Sequence, residues 1–258
     1  MITFQKEKLC VEIYPTRAEM GKQAAKDIQD KIVELLRTQD SVSIIFAAAP
    51  SQNEVLDALT ASKQIDWTKV RAFHMDEYIG LPKNAPQAFG NFLRERLFDK
   101  VPFGRVQYIN ASASDPEKEA ERYQALLAQE KMDIVVLGIG ENGHIAFNDP
   151  PVADFHDTKL VKTVQLDEIC RQQQVNDGCF ASINEVPMYA ITLTVPMLIS
   201  AKWAFCIVPA KSKATAVKNT LFSTVSERCP ATILRQKEHA KLYLDTDSAE
   251  KIINEIQT

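Results

Sequence analysis

Met132-Asp133-Ile134-Val135-Val136-Leu137-Gly138-Ile139-Gly140-Glu141-Asn142-Gly143-His144-Ile145-Ala146-Phe147-Asn148-Asp149-Pro150 is the stretch on which the reading of this chain turns. The apolar run 132–137 reads as a buried strand. The chain holds only eight glycines, and three of them (Gly138, Gly140, Gly143) fall within the next six residues. A tight loop that exposes its backbone therefore opens at the end of a strand, the place where open α/β sheets bind ligands. His144 lies in that loop, with Asn142 before it and Asp149 after it. A histidine held near amide or acidic groups on such a turn can serve as a general acid/base. A plain turn carrying a surface histidine would need one glycine; three, with His and Asp, favour a site.

Outward from this stretch, apolar runs alternate with helical patterns. Strands are expected at 9–13, 41–48, 70–75, 106–109, 132–137, 159–164, 190–194, 204–208 and 241–244. Helices are expected at 17–38, 53–62, 89–99, 116–131, 211–221 and 248–256. The helix at Pro116 has the clearest start, with Asp115 as cap and proline in the first position. This alternation predicts an α/β fold: a mostly parallel, doubly wound, Rossmann-like sheet with helices on both faces. No repeat, long linker or low-complexity stretch interrupts it, so residues 1–258 are read as a single domain. Segments 148–155 and 170–187 read as irregular loops over the site.

Composition narrows the function classes. A chain of 258 residues with 45% hydrophobic and 25% charged residues is ordinary for a soluble globular protein. The net charge of -4 argues against nucleic acid as a partner and leaves an anionic small molecule open. No apolar run is long enough for a membrane span, and the first residues lack the apolar core of a signal peptide. Five cysteines, odd in number and without a C-x-x-C pair, fit reduced thiols in a cytoplasmic protein.

Two further constellations carry chemistry. Phe73-His74-Met75-Asp76-Glu77-Tyr78-Ile79-Gly80-Leu81 follows the strand at 70–75. Its carboxylates sit at a second strand end, so Asp76 and Glu77 can share a pocket with Asn142, His144 and Asp149. Taken alone, an Asp-Glu pair is more simply a cap or a solvated loop. His74 reads as structural, and no known ligand spacing supports a metal held by His74, Asp76 and His144. The third element is Ala210-Lys211-Ser212-Lys213-Ala214, between the strand at 204–208 and a helix. Lysines at a helix start suit a phosphate, although solvated surface lysines read equally well there.

Together these motifs resemble the glucosamine-6-phosphate deaminase/isomerase family. The resemblance rests on residues 75–81, on 138–150, on Cys229-Pro230-Ala231-Thr232-Ile233-Leu234, and on Pro86-Gln87-Ala88-Phe89 and Val186-Pro187-Met188-Tyr189-Ala190 in the same order. It covers roughly the whole chain. The related 6-phosphogluconolactonases share the sheet and the Gly-His but usually continue with Thr-Ala-Ser-Leu-Phe, whereas this chain continues Ile-Ala-Phe-Asn. Members of the deaminase branch open the ring of an amino-sugar phosphate, move a proton between C2 and C1, and release ammonia to give fructose 6-phosphate. By resemblance, Asp76 is the base that shuttles the proton, His144 assists ring opening, and Asn142 and Asp149 orient that histidine. Ala48, Ala49, Ser51, Gln52, Glu77, Gly140 and Lys213 are the expected substrate-binding positions. Neither cofactor nor metal is needed, because the open-chain aldehyde itself acidifies C2. The expected partner is a small-molecule sugar phosphate, with no nucleic acid and no membrane; the family includes monomers and larger assemblies, so a homo-oligomer is among the expectations.

This chain departs from the family pattern in ways that bear on substrate. Asp149 stands where Glu is common and is one methylene shorter; Asn142 stands where many members have Asp. The loop after the first parallel strand, typically Thr-Gly-Gly/Ser-Thr/Ser-Pro, is here Phe46-Ala47-Ala48-Ala49-Pro50-Ser51-Gln52. Alanine restricts the backbone approach to an anion that glycine allows. The arginine expected before Val186 is replaced by Asp177 or Gly178, with Arg171 upstream. Two alternatives therefore stand beside the deaminase reading: a sugar-lactone hydrolase, for which Thr192-Leu193-Thr194-Val195-Pro196 speaks, and a non-catalytic sugar-binding relative.

Overall fold

The computed structural model describes residues 1–256. In chain order its elements are β1 (Ile2–Lys6), β2 (Leu9–Tyr14), α1 (Arg17–Leu35), β3 (Val42–Phe46), α2 (Asn53–Ala61), β4 (Val70–His74), β5 (Asp76–Tyr78), α3 (Phe89–Leu93) and β6 (Arg105–Gln107). There follow α4 (Pro116–Leu127), β7 (Ile134–Leu137), β8 (Val161–Gln165), α5 (Glu168–Asn176), β9 (Tyr189–Leu193), α6 (Val195–Ser200), β10 (Trp203–Val208), α7 (Ala214–Phe222), β11 (Ala240–Asp245) and α8 (Ile253–Ile256). None of the described helices is long and apolar enough to cross a membrane.

Eight strands form the central sheet in the order β1-β2-β11-β10-β7-β3-β4-β6, parallel throughout except for the edge strand β1. Alternate side chains of its strands face opposite layers. Ile44 and Phe46 of β3, with Ile134 and Val136 of β7, pack toward Met20, Ala24 and Ile28 of α1 and Val55 and Leu56 of α2. Ile45, Val135 and Leu137 pack on the other face with Ala120, Tyr123 and Leu127 of α4 and Val217 and Leu221 of α7. This is the expected mostly parallel sheet with helices on both faces. The helices start where the sequence places caps: Thr16 accepts from the Glu19 N–H at the head of α1, and Asp115 accepts from the Lys118 N–H at the head of α4.

From β3 the chain moves outward through β4 to β6, then returns to the opposite side of β3 as β7. The strand order reverses between β3 and β7, and a crevice opens beyond their carboxyl ends. The glycine-rich loop that follows β7 lies at that point.

Several features differ from the sequence expectations. β1, with only Ile2 and Phe4 apolar, pairs with β2 in register from Ile2 opposite Ile13 to Lys6 opposite Leu9; an edge strand that sets only Phe4 against the core leaves too short a hydropathy signal to read. β8 and β9 leave the main sheet and form a separate antiparallel sheet in the order β5-β9-β8; an apolar run reveals a strand, not its partner. α5 occupies part of 170–187, read as irregular. Its buried side chains are Cys170, Gln173 and Gln174, so the helical spacing is present but written in amides. Toward the C-terminus, among the described residues, only Ile253–Ile256 of the expected 248–256 helix is helical, and turns fill 246–252.

Candidate active site

A cleft lies over the switch point. Loops from four parallel strands meet there: 47–52 after β3, Met75 and Asp76 after β4, 138–147 after β7, and 209–213 after β10. Arg17 at the start of α1, Phe89 of α3, Gln173 and Gln174 of α5, and Asp177 just past its end complete its walls.

His144 is held from behind. Its Nδ1 faces two acceptors, Asn142 Oδ1 at 2.8 Å and Asp149 Oδ1 at 2.9 Å. Nδ1 therefore carries the proton, and Nε2 is left to the cleft. Asn142 also accepts from the His144 backbone N–H at 3.0 Å and donates to Asp149 Oδ1 at 2.9 Å, which closes the group. Burial pushes the Asp149 carboxyl up, but the adjacent imidazole and the hydrogen bonds from His144 and Asn142 outweigh it, holding the group below its ordinary value. Asp149 thus reaches the ring despite its shorter side chain. Gly140 is required beneath that ring: a Cβ there would lie 2.1 Å from the imidazole Cε1. Gly143 adopts φ +88, and a Cβ there would meet Cys229 Sγ at 2.5 Å. The glycines of the motif thus make room for particular atoms.

Asp76 is buried against the cleft, and no donor among the described residues is bonded to its carboxyl. Burial, and then the neighbouring Glu77, push it well above the ordinary carboxylate range. A carboxylate raised in this way is a stronger base than an ordinary, solvated one. His74 fixes the backbone beneath it. The His74 Nε2 accepts from the Ile109 N–H at 2.9 Å, so Nδ1 carries the proton and donates to the Asp76 carbonyl, also at 2.9 Å. Burial pushes the imidazole of His74 down to about 4, which keeps it neutral. Both ring nitrogens are used, so His74 has none free for a metal shared with Asp76 and His144.

Glu77 points away from the cleft. Its carboxylate accepts N–H bonds from Tyr78 (2.9 Å), Phe89 (3.0 Å) and Gly90 (2.8 Å). The structure therefore places it at the head of α3, outside the cleft lining, as a brace for Phe89, rather than at the substrate-binding position expected of it. Strand alternation explains this: Asp76 and its neighbour in β5 face opposite sides.

Cationic and polar groups gather at the other end of the cleft. Lys213 is buried there, its ammonium without a hydrogen bond or ion pair to any described residue. Burial lowers its pKa, against the opposing pull of Asp177 and Glu141. Lys211 faces solvent and pairs with Glu250 at 2.9 Å. Ala49 is extended (φ -156, ψ 157), a conformation alanine adopts freely, so the loop after β3 turns without glycine. Arg17 clamps that turn: its guanidinium donates to Glu54 at 2.6 Å and to the Pro50 carbonyl. Gln52 donates to Ser51 Oγ and to the Ile207 carbonyl, while its Oε1 is buried without a donor.

Of the positions picked out in the sequence, Ala48, Ala49, Ser51, Gln52, Asp76, Gly140, His144 and Lys213 line the cleft. Asn142 and Asp149 stand behind His144. Arg17, Gln173 and Gln174 also line it and went unread; Asp177, read only as standing in place of an arginine, and Ser212, read only as part of the lysine turn, line it too. Arg17 carried the same signal as Lys213, a cation at a helix start. The α5 residues had none, since amides do not mark a buried face. Arg171 bonds the Ile183 and Val186 carbonyls, away from the cleft lining. Thr192 accepts from the Phe147 N–H and Thr194 caps α6, so the stretch that spoke for a lactonase has structural uses. Among the described residues, His144, Asp149 and Cys170 form a group whose donor atoms lie within 4.8 Å of one another; in it the His144 Nδ1 already bonds Asp149.

Comparison with known proteins agrees with this architecture. A glucosamine-6-phosphate deaminase from Bacillus cereus (strain B4264) is 33% identical over 217 residues, 84% of this chain and 80% of that protein. The solved structure of a monomeric glucosamine-6-phosphate deaminase matches with a TM-score of 0.85 at 28% identity, over 93% of this chain and 99% of the other. A 6-phosphogluconolactonase from Thermotoga maritima shares the fold, with a TM-score of 0.75 at 21% identity over 92% and 99% of the two chains. The sequence model describing glucosamine-6-phosphate isomerases and 6-phosphogluconolactonase matches residues 15–244, and the chain belongs to that family.

Proposed function

We propose that this protein isomerises and deaminates an amino-sugar phosphate, converting glucosamine 6-phosphate and water to fructose 6-phosphate and ammonia. The observation that carries this reading is the convergence on one cleft of a buried carboxyl with no hydrogen-bond donor, Asp76, and an imidazole backed by a carboxylate, His144. His144 Nε2 moves protons on and off the ring oxygen while Asp149 steadies the imidazole. In the open chain the aldehyde acidifies C2. Asp76 takes the C2 proton and returns it to C1, leaving an imine at C2 that water hydrolyses to the ketose and ammonia. A desolvated carboxylate is well suited to carbon acids, because burial raises its basicity. Lys213 meets the phosphate. The lactonase alternative is weakened because Thr192 and Thr194 are engaged structurally.

The test is ammonia release from glucosamine 6-phosphate by the wild-type chain and by Asp76→Asn. Turnover in the variant is expected to fall by roughly 10²–10⁴-fold, with the melting temperature preserved. Undiminished turnover in Asp76→Asn, or hydrolysis of a sugar lactone without ammonia release, overturns the reading.

A further inference from the structure

Lys213 and Asp177, of opposite sign, both line the cleft, and the Asp177 charge acts on Lys213. The other cation there, Arg17, is already bonded to Glu54 and to the Pro50 carbonyl. Asp177 is fixed in place: its Oδ2 accepts from the Gln173 Nε2 at 3.2 Å, and Gln173 Oε1 in turn accepts from the Glu141 N–H at 2.8 Å. No donor among the described residues bonds the second oxygen of Asp177. The buried Oε1 of Gln52 is likewise without a donor. This end of the cleft therefore offers, in Lys213, a buried cation without a partner and, in the second oxygen of Asp177, an acceptor without a donor. A phosphate dianion has no proton to give and would set two negative charges beside the Asp177 carboxylate. A phosphate monoanion carries one charge and one O–H.

Resting on the reading above that the substrate is a sugar phosphate, we propose that Asp177 sets the form in which the phosphate is taken: the monoanion is bound, its charge met by Lys213 and its O–H donated to the Asp177 carboxylate. Asp177 is then a specificity-determining residue, selecting a singly charged terminal group over a doubly charged one. The ionisable groups facing this pair are Glu141 from the loop after β7, Cys170 and Cys179 on either side of the α5 terminus, and Arg17 from α1. Asp177 supports the charged form of Lys213, so removing it would, through Lys213 alone, weaken anion binding at high pH. The proposal predicts the opposite.

The experiment is calorimetric binding of 2-amino-2-deoxyglucitol 6-phosphate, an open-chain alditol with no aldehyde to react, by the full chain between pH 5.5 and 8.5. A phosphate monoester loses its second proton near pH ~6, so wild-type affinity is expected to fall about tenfold for each pH unit above that. Asp177→Asn supplies an amide donor in place of the carboxylate; its profile is expected to flatten, with binding at pH 8 at least about tenfold tighter than wild type. Asp177→Ser, which removes the charge with a smaller side chain, is expected to follow it. The unphosphorylated alditol is expected to bind wild type and variants alike across the range. Parallel pH profiles in wild type and variants, weaker binding by the variants at pH 8, or no binding of the phosphate by wild type at any pH overturns the proposal. Absence of ammonia release from glucosamine 6-phosphate alongside the expected profiles counts against the deaminase reading and leaves the proposal standing.

Discussion

Three backbone N–H groups converge on the Glu77 carboxylate, yet burial prevails and lifts its pKa to about 7. The unfolded chain releases that proton near the ordinary value of 4.5. Between these values the folded state binds the proton more tightly, so the stability this group contributes is present below pH 4.5 and lost as pH rises through about 7. A Glu77→Gln variant escapes the loss. Measured by denaturant unfolding, its stability relative to wild type is expected to improve by roughly 3 kcal/mol between pH ~4.5 and pH ~8. A difference that does not change with pH would contradict the assignment. At this scale the sequence was legible where a motif fixed both residue and spacing, as for Asp76 and His144. It was not legible for Glu77, whose neighbour in sequence faces the cleft while Glu77 itself faces α3.

The connection from β10 to α7 shows what an element can carry. Ala210 sits at φ 81, ψ 147, in backbone territory that favours glycine, and is held by N–H bonds to both oxygens of the buried Asp245 at 3.2 and 3.1 Å. The turn it makes delivers Lys213 to the cleft. An L-residue held there costs ~1–3 kcal/mol, and glycine returns part of the gain as unfolded-state entropy. Ala210→Gly is therefore expected to stabilise the protein by about 1 kcal/mol, raising the melting temperature by roughly 2–4 °C. A lowered melting temperature would show that the turn is unstrained. The sequence located this turn from the run of lysines but gave no sign of strain, since alanine signals no backbone conformation. α5 was opaque for a related reason: its buried positions are Cys170, Gln173 and Gln174, and hydropathy does not register an amide that faces a polar cleft.

At the scale of the whole molecule the site depends on the central strands that hold its loops in place. Ile45 lies fully buried on β3, next to the switch point. Ile45→Ala is expected to cost roughly 2–5 kcal/mol, a fall of about 2–4 °C in melting temperature per kcal/mol; a loss below 1 kcal/mol would mean that the layer re-packs around the void. The sequence by itself determined the parallel α/β architecture, the cap of α4, and the glycine loop with its histidine. Each is a local property: hydrophobic period, cap chemistry, or a spacing within a dozen residues. Only the tertiary structure decided which strand ends are neighbours, and so which side chains share a cleft. The order of strands is a matter of chain crossover, and β8 and β9 show that an apolar run does not name its partner. Asp76 and His144 lie 68 residues apart in the chain, and Lys213 and Asp177 come from separate segments. Their meeting is fixed by burial and backbone pairing summed over the whole sheet, which no local pattern encodes.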